Sequence, residues 1–391
     1  MSVTAPAGFR AAGVTAGLKP SGRPDLALVV NDGPEHVGAA VFTQNRVAAA
    51  PVLWSRTAVG DGVVRAVVLN SGGANACTGP EGFADTHRTA EHVGEVLDVS
   101  AADVLVCSTG LIGERLDMPA LLGGVDTAAT ALSPSGGRAA AEAIMTTDTV
   151  TKQAAVTRSS QTGSWTVGGM AKGAGMLAPA LATMLVVVTT DAVVEAADAD
   201  AALRAAARVT FERVDSDGCL STNDTVVLLA SGASGVRADR EELSDALTVV
   251  CGDLARQLVA DAEGAAHDIA VTVSGATTED AALAVARAVT RSNLVKTAIY
   301  GNDPNWGRIL ASAGTVPAEV APFEPDAVDV AINGVTVCRG GGVGEDRTRV
   351  DLVSAREVRI DIDLHAGEAA VTVWTNDLTH DYVHENSAYS T

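Results

Sequence analysis

Short runs of β-branched residues alternate with helical patterns along the chain, and this alternation constrains the fold more than any other feature. The predicted strands are residues 26–30, 39–42, 64–69, 104–107 and 184–188. The predicted helices are residues 81–97, 138–145 and 241–263. In the last helix, apolar residues recur at steps of three and four from Leu243 to Leu258, which gives one apolar stripe. No internal repeat and no long Pro/Gly/Ser linker divides the chain.

The C-terminal part has a different pattern, with two predicted hairpins. Residues 328–332 and 335–337 flank Asn333-Gly334, a strong two-residue turn signal. Residues 358–364 and 369–374 flank Ala366-Gly367 and predict a second hairpin. Because the first part carries more parallel-type signals and the last 60 or so residues look antiparallel, we predict an α/β (α+β) fold of layered sheets and helices.

Composition excludes several classes of protein. The chain has 391 residues, 47% hydrophobic and 19% charged, which is typical of a globular protein. A net charge of −21 and only 3% aromatic residues argue against nucleic-acid binding. The first residues contain no apolar signal-peptide core, and the most apolar stretch, 176–188, is interrupted by Pro179 and too short to span a membrane. Five scattered cysteines without a C-x-x-C pair favour a reducing cytoplasm over a disulfide or zinc site.

Lysine is rare among the cationic residues. Only Lys19, Lys152, Lys172 and Lys296 stand among 27 lysines and arginines. Lysine is a compact point charge that arginine does not replace at every site, so these positions are candidates for specific roles. Composition drift is the simpler interpretation of any one of them.

Familiar catalytic motifs are missing. There is no G-x-S-x-G elbow, and neither GGMAKGAG nor GGGVG has the Walker or dinucleotide spacing. His380 and His384 have an i, i+4 spacing but no evident third ligand, so we predict no metal and no cofactor.

Residues 168–191 read GGMAKGAGMLAPALATMLVVVTTD and carry the most chemistry. Lys172 is predicted to lie in a glycine-rich loop, and Thr183 opens a buried strand. From pattern alone, Thr183 is an ordinary first residue of a strand.

The whole chain resembles the ornithine acetyltransferases (glutamate N-acetyltransferases) of the arginine pathway, in their actinobacterial form, which process themselves and use an N-terminal threonine nucleophile. The segments that carry this resemblance run from one end to the other. They are TAPAGFRAAGVTAGLK, RPDLALVVNDGP, VLNSGGANACTG, VCSTGLIGERL, AIMTTDT, GGMAKGAGMLAPALATML, STNDT, SNLVKTAIYGNDPNWGRIL, VCRGGGVGED and ENSAYST.

The resemblance implies a layered αββα-like sandwich of the kind shared with self-processing aminopeptidases, with a smaller C-terminal α+β lobe from about residue 240. It implies cleavage between Ala182 and Thr183, giving fragments 1–182 and 183–391 that stay associated, with two copies of each. Thr183 is then the nucleophile. Its freed α-amino group, with an ordinary pKa of about 7.7–8.0, would be the general base, which accounts for the missing catalytic histidine.

The implied reaction moves an acetyl group from N-acetylornithine to glutamate. Thr109 and Gly110 would stabilise the oxyanion, although the sequence alone reads 108–110 as a strand-ending turn. Lys172 would neutralise a substrate carboxylate. Glu263, placed with Asp261 at a helix C-terminus that disfavours acidic residues by roughly 0.3–1 kcal/mol, would receive the ornithine ammonium, unless that helix end is simply frayed. The resemblance adds Thr149, Asn386 and Thr391 to the binding set.

Three alternatives stay open. Acetyl-CoA would also serve as donor in a bifunctional enzyme, or the enzyme would belong to a specialised pathway. Related self-processing proteins are aminopeptidases that release the acyl group to water. A non-catalytic small-molecule binding protein, the third alternative, predicts no cleavage at all. The segment 302–308, NDPNWGR, suits an ordered turn better than a substrate contact.

Overall fold

The computed structural model describes residues 2–160, 163–177 and 184–388. These residues form two compact units. The first comprises residues 2–212 and 219–261, and the second comprises residues 213–218 and 262–388.

The first unit contains two sheets. The strands of the first sheet are β1 (Phe9–Val14), β2 (Leu26–Asn31), β4 (Ala66–Asn70) and β5 (Val104–Ser108), in the order β1-β2-β4-β5. The strands of the second are β3 (Val37–Phe42), β6 (Lys152–Ser160), β7 (Gly163–Lys172), β8 (Leu185–Thr190) and β9 (Thr225–Ala230), in the order β3-β9-β8-β7-β6. Within these two sheets only β4–β5 and β8–β9 pair in parallel. The pairing of the described residues is therefore mostly antiparallel, contrary to the expectation from the βα signals.

Helices cover both sheets. They are α1 (Ala50–Ala58), α2 (Gly79–Leu97), α3 (Met118–Ala131), α4 (Gly137–Ala143), α5 (Ala196–Val209) and α6 (Arg240–Ala260). The inner faces of the two sheets share one apolar cluster, which includes Val29, Leu69, Leu105, Val187 and Leu229. Helices α2 and α3 pack on the other face of the first sheet, and α5 and α6 pack on the second. The layers are therefore helix, sheet, sheet and helix, and the predicted αββα sandwich is confirmed.

The local sequence explains the best-predicted helix. Asp239 and Glu242 form a reciprocal capping box at the start of α6. Leu243, Leu247 and Leu258 are among the residues that α6 buries, as the apolar stripe predicted. The helix ends at Ala260, however, so that Asp261 is its C-cap and Glu263 lies beyond it.

The second unit is built on one six-stranded sheet. Its strands are β10 (Asp268–Ala276), β11 (Asp329–Ile332), β12 (Val335–Arg339), β13 (Gly342–Val343), β14 (Glu357–Asp363) and β15 (Ala369–Asn376), in the order β13-β12-β11-β14-β10-β15. Its helices are α7 (Glu279–Thr290), α8 (Asn293–Tyr300), α9 (Trp306–Ala313) and α10 (His380–Ala388). An apolar cluster of strand and helix residues forms its core.

One of the two predicted hairpins is right. Strands β11 and β12 pair in antiparallel fashion around Asn333 and Gly334, whose φ angles are 47° and 82°, as a two-residue hairpin turn requires. The second is wrong, because β14 and β15 do not pair with each other. Strand β10, which the sequence reading missed, lies between them, parallel to β14 and antiparallel to β15.

Two other sequence predictions concern the position of Lys172 and the start of the C-terminal lobe. Lys172 is the last residue of strand β7 and does not lie in a glycine-rich loop. Helix α6 belongs to the first unit, so the C-terminal stretch of the second unit begins at Ala262 and not near residue 240. This division is a property of packing and differs from the predicted cleavage of the chain at 182–183.

Segment 302–308 caps helix α9 and packs against the apolar core. The Asn305 side chain caps the first turn of α9 by accepting the Arg308 N–H at 3.2 Å. Trp306 packs against the core of the second unit. No helix in the described part of the chain is both long and apolar enough to cross a membrane.

Candidate active site

Thr109 and Gly110, the two residues predicted to stabilise an oxyanion, follow directly after strand β5. The strand ends at Ser108, and the buried Thr109 that follows donates its N–H to the Asn70 carbonyl at 3.0 Å. Thr109 also forms an isolated antiparallel bridge with Gly73, in the loop after β4. The predicted strand-ending turn is therefore present, and it is held by the neighbouring strand.

Gly110 has a conformation that only glycine adopts easily. Its φ is +134°, and a Cβ built there would lie 2.8 Å from the Gly73 nitrogen and 2.9 Å from the Gly73 Cα. Backbone strain and backbone overlap both exclude a side chain at this position. The loops after β4 and β5 consequently approach each other more closely than larger residues would allow.

Asn223 joins these two loops. Its Nδ2 donates to the Ala74 carbonyl at 2.6 Å and to the Ser108 carbonyl at 2.9 Å. Asn223 is buried, so both bonds form away from water, where an unmade bond is costly. Sequence reasoning missed this residue, and the only signal for it was its place in the STNDT segment.

Lys172 lies against Thr109. The lysine is 1% exposed, and its Nζ donates to Thr146 Oγ1 at 2.7 Å and to Thr109 Oγ1 at 3.4 Å. Since Lys172 is the donor, the Thr109 hydroxyl accepts this bond and keeps its own proton to donate elsewhere. A hydroxyl arranged in this way is suited to stabilising an oxyanion.

Asp148 compensates the buried charge. Its carboxylate accepts bonds from Lys152 Nζ at 2.6 Å and from the Gly173 amide at 2.6 Å, and it lies 3.8 Å from Lys172 Nζ. Burial alone would raise the pKa of Asp148, but Lys172 and Lys152 outweigh burial and hold that pKa below its ordinary value. Asp148 is therefore a stable carboxylate at neutral pH.

The same network continues to Thr149. Lys152 Nζ lies 2.5 Å from Asp261 Oδ2. Asp261 in turn accepts the Thr149 N–H at 3.0 Å and the Thr149 hydroxyl. Thr149 and Lys172 are thus linked through two carboxylates and one buried lysine, and the charge of Asp261 at the end of α6 is offset by Lys152.

The four lysines are all at least partly buried. Lys152, Lys172 and Lys296 are buried, and Lys19 is partly buried with its Nζ on the Met145 carbonyl at 2.5 Å. Burial lowers the pKa of Lys19 to about 8, with a smaller contribution from Lys172. A compact ammonium fits these interior positions better than a planar guanidinium would.

Glu263 and Asn386 come together in the second unit. Asn386, in α10, donates from Nδ2 to Glu263 Oε2 at 3.0 Å and to the Tyr382 carbonyl at 3.0 Å. Glu263 is buried and lines a cavity of 160 Å³. Because Glu263 lies beyond the end of α6, its predicted opposition to the helix dipole does not apply. The predicted residues Ala182, Thr183 and Thr391 lie outside the described residues.

A larger groove contains none of the predicted site residues. It has a volume of 890 Å³ and runs along β3, between α1 and α5. Of the residues predicted from the sequence, Thr109, Lys172 and Glu263 are buried, whereas Thr149 and Asn386 are exposed. Within the described ranges, no cluster of three or more His, Cys, Asp or Glu side chains has the arrangement of a metal site.

Comparison with known proteins identifies the family. The model of the ArgJ family matches residues 10–391. The arginine biosynthesis bifunctional protein ArgJ of Streptomyces coelicolor is 63% identical over 390 residues, and the match covers 100% of each chain. The protein of the same name from Thermobifida fusca is 63% identical over 391 residues, again with 100% of each chain covered.

Solved structures include one described as ornithine acetyltransferase complexed with ornithine, from Mycobacterium tuberculosis. It is 57% identical, with a TM-score of 0.44, and the match covers 47% of this chain and 96% of that chain. The resemblance read from the sequence segments is confirmed by the family model and the curated relatives. The chain belongs to the ArgJ family, the acyltransferases of arginine biosynthesis.

Proposed function

We propose that this chain cleaves itself between Ala182 and Thr183 and then uses Thr183 to carry acetyl groups from N-acetylornithine to glutamate. The observation that carries the proposal is the contact of the buried Lys172 with the Thr109 hydroxyl, beside a Gly110 that tolerates no side chain. This arrangement presents a hydroxyl proton and a backbone amide in a buried setting beside a lysine ammonium, which is what an acyl-transfer intermediate needs.

Self-cleavage would supply the missing base. The Thr183 oxygen attacks the Ala182 carbonyl carbon, the C–N bond breaks, and the hydroxyl proton ends on the departing nitrogen. Water then hydrolyses the ester, leaving a carboxylate on Ala182 and a free amine and hydroxyl on Thr183. An α-amino group with a pKa of about 7.7–8.0 is partly neutral at physiological pH and is a suitable general base.

The acetyl cycle follows the same chemistry. Thr183 attacks the acetyl carbonyl of N-acetylornithine, its amine takes the hydroxyl proton, and that proton passes to the nitrogen of the departing ornithine. The amine of glutamate then attacks the acetyl-threonine ester and gives N-acetylglutamate, while its proton returns to the Thr183 oxygen. In both steps the Thr109 hydroxyl and the Gly110 amide stabilise the oxyanion.

Charge guides the choice of substrate groups. The chain carries a net charge of −21, so an amino-acid carboxylate needs a local cation, and Lys172 is the buried cation next to Thr109. Thr149 would contribute a polar contact, held in place by Asp261. Glu263, supported by Asn386, would receive the side-chain ammonium of ornithine, and Thr391 would complete the set. Fragments 1–182 and 183–391 would remain associated, with two copies of each.

A second donor has one observation in its favour. The curated relatives are named bifunctional, which fits an enzyme that also takes the acetyl group of acetyl-CoA. Acetylation of glutamate from acetyl-CoA, measured without N-acetylornithine, tests this directly. Formation of N-acetylglutamate supports the second activity, and its absence limits the enzyme to acetyl recycling.

The proposal is tested by trapping the intermediate. Incubation with N-acetylornithine and no glutamate should release ornithine in an amount equal to the enzyme and leave one acetyl group on the N-terminal residue of fragment 183–391. Adding glutamate should discharge it as N-acetylglutamate. Continuous release of free acetate, unaffected by glutamate, would instead identify a hydrolase of the aminopeptidase type.

A further inference from the structure

Asp224 contacts Met184, the residue that follows the proposed nucleophile in the chain, but has no part in the mechanism above. Strands β8 and β9 pair in parallel from Leu185 and Thr225 onward, so the residues just before the pair, Met184 and Asp224, are neighbours. The Thr225 N–H donates to the Met184 carbonyl at 3.1 Å. The Met184 N–H donates to Asp224 Oδ1 at 3.2 Å. That nitrogen belongs to the peptide bond that joins Thr183 to Met184.

The other carboxyl oxygen of Asp224 can accept a further hydrogen bond. Asp224 is fully buried, and its Oδ2 has no hydrogen-bond partner within the described part of the chain. Burial raises the pKa of Asp224 well above its ordinary value, more than the Met184 amide, the Ser221 and Thr43 hydroxyls and Lys172 lower it. Among the described residues, no lysine or arginine forms a salt bridge with this carboxyl.

Holding the Met184 amide does not require an acid. The amide oxygen of asparagine accepts an N–H bond equally well, whereas a buried oxygen without a hydrogen-bond partner destabilises the folded protein. The presence of an acid at this position is explained if a hydrogen-bond donor for Oδ2 of Asp224 forms later. Cleavage before Thr183 creates a new α-amino group one residue from the Met184 nitrogen, and that group is a cation when protonated.

We propose that Asp224 is a positioning residue for Thr183, holding the peptide that follows the nucleophile before cleavage and accepting a hydrogen bond from the new α-amino group after it. This inference rests on the proposed self-cleavage. No bond is made or broken by Asp224 itself. Its effect is to orient the amine that serves as base and to favour the protonated form of that amine, since an adjacent carboxylate stabilises an ammonium ion.

Asp224→Asn is the test, with Asp191→Asn as a matched control. Asparagine keeps an acceptor for the Met184 N–H but replaces the second acceptor with a donor. Asp191 is also buried and also holds backbone amides, those of Ala7 at 2.9 Å and Thr166 at 2.7 Å, but it follows the opposite end of β8. Self-cleavage is followed by intact mass, and the cleaved protein is then assayed for kcat/KM across pH.

The expected results differ between the two variants. Asp224→Asn should slow cleavage by about tenfold or more through misplacement of the reacting groups. It should also move the acid-side midpoint of kcat/KM down by roughly one pH unit, because the ammonium loses an anionic neighbour. Asp191→Asn should leave both readouts at their wild-type values. A variant at position 224 with wild-type cleavage and an unshifted midpoint would overturn the inference.

A second measurement needs no variant at position 224. Infrared spectra at neutral pH should show one more protonated buried carboxyl in Thr183→Ala, which stays uncleaved, than in the wild type. Equal numbers would overturn the inference while leaving the proposed function standing. A wild-type protein that is active as one uncleaved chain would instead remove the proposed function itself.

Discussion

Each of the two units buries an aspartate beside cationic groups, but the pKa values of the two carboxyl groups are shifted in opposite directions. In the first unit, Asp148 contacts Lys152 and lies near Lys172, both buried, and it accepts a bond from the Gly173 amide. In the second unit, Asp215 contacts the Arg291 side chain at 2.7 Å, but that side chain is 47% exposed. Oδ1 of Asp215 has no hydrogen-bond partner among the described residues.

The pKa values follow from these surroundings. Burial works against both carboxylates, but the two buried lysines hold the pKa of Asp148 below its ordinary value. Burial raises the pKa of Asp215 to about 6, because the half-exposed Arg291, with smaller contributions from Arg287 and Lys296, compensates less. A cation screened by water stabilises a neighbouring carboxylate weakly. The first cluster therefore holds fixed charges in place at neutral pH, as acyl-transfer chemistry requires, and the second does not.

The largest expected effect comes from Lys172→Met. Loss of this cation removes the bond to Thr109 and one counterion of Asp148, and kcat/KM for acetyl transfer should fall on the order of 100-fold or more. Lys296→Met is a matched control, a buried lysine of the second unit whose Nζ donates to the Ser216 carbonyl. A similar loss of activity in both variants, with both folded, would show that the first cluster has no special role.

Asp148→Asn should lower the free energy of unfolding by about 3–5 kcal/mol at pH 7, because it removes a carboxylate from beside two buried ammonium groups. The folded-state pKa of Asp148 lies below the unfolded value of about 3.9. Its stabilisation is therefore complete above that value and is lost as the pH falls below it. Denaturant unfolding at several pH values should show the gap between variant and wild type narrowing in acid.

Asp215→Asn should behave in the opposite sense. A folded pKa of about 6 above the unfolded value means that wild-type stability is lost as the pH rises through about 6. At pH 7 the variant should gain about 1–3 kcal/mol relative to wild type, compared with their difference at pH 4. A gap that does not change between these pH values would contradict the contrast between the two carboxylates.

The smallest effect is expected at an exposed ion pair. Arg138 and Glu142 form an i, i+4 contact at 3.1 Å, and the arginine side chain is 80% exposed. Arg138→Ala should change the free energy of unfolding by no more than about 0.5 kcal/mol and leave transfer unaltered. A larger loss of unfolding free energy would mean that an exposed ion pair stabilises the fold as much as a buried one. The contrast between the buried carboxylates would then not depend on burial.

Local patterns predicted the elements whose signal lies within one segment. The apolar stripe of α6 and the Asn333-Gly334 turn are of this kind, since periodicity and positive φ preferences are properties of neighbouring residues. The second hairpin failed because strand pairing is decided by distant residues: β10, more than 80 residues before β14, supplies the partner for both strands. Sequence spacing carries no information about such an insertion.

The site was predictable to a similar extent. The rarity of lysine marked its four positions as candidates for specific roles, and Lys152 and Lys172 are buried in the structure. Asp148 gave no signal of its own, and Asp261 was noted only for its place at a helix end, because acidic residues are common in this chain and the contacts with Lys152 set these two apart. Asn223 and Asp224 adjoin a strand that the sequence reading did not predict, so their proximity to Thr109 and Met184 required the fold.

The central proposal is that Thr183 is the nucleophile. Intact mass and N-terminal sequencing of the purified protein test it directly, with Thr183→Ala prepared in parallel. We predict two fragments, 1–182 and 183–391, with threonine at the new N-terminus, and a single inactive chain for the variant. A wild-type protein that transfers acetyl groups as one uncut chain of 391 residues would contradict the account.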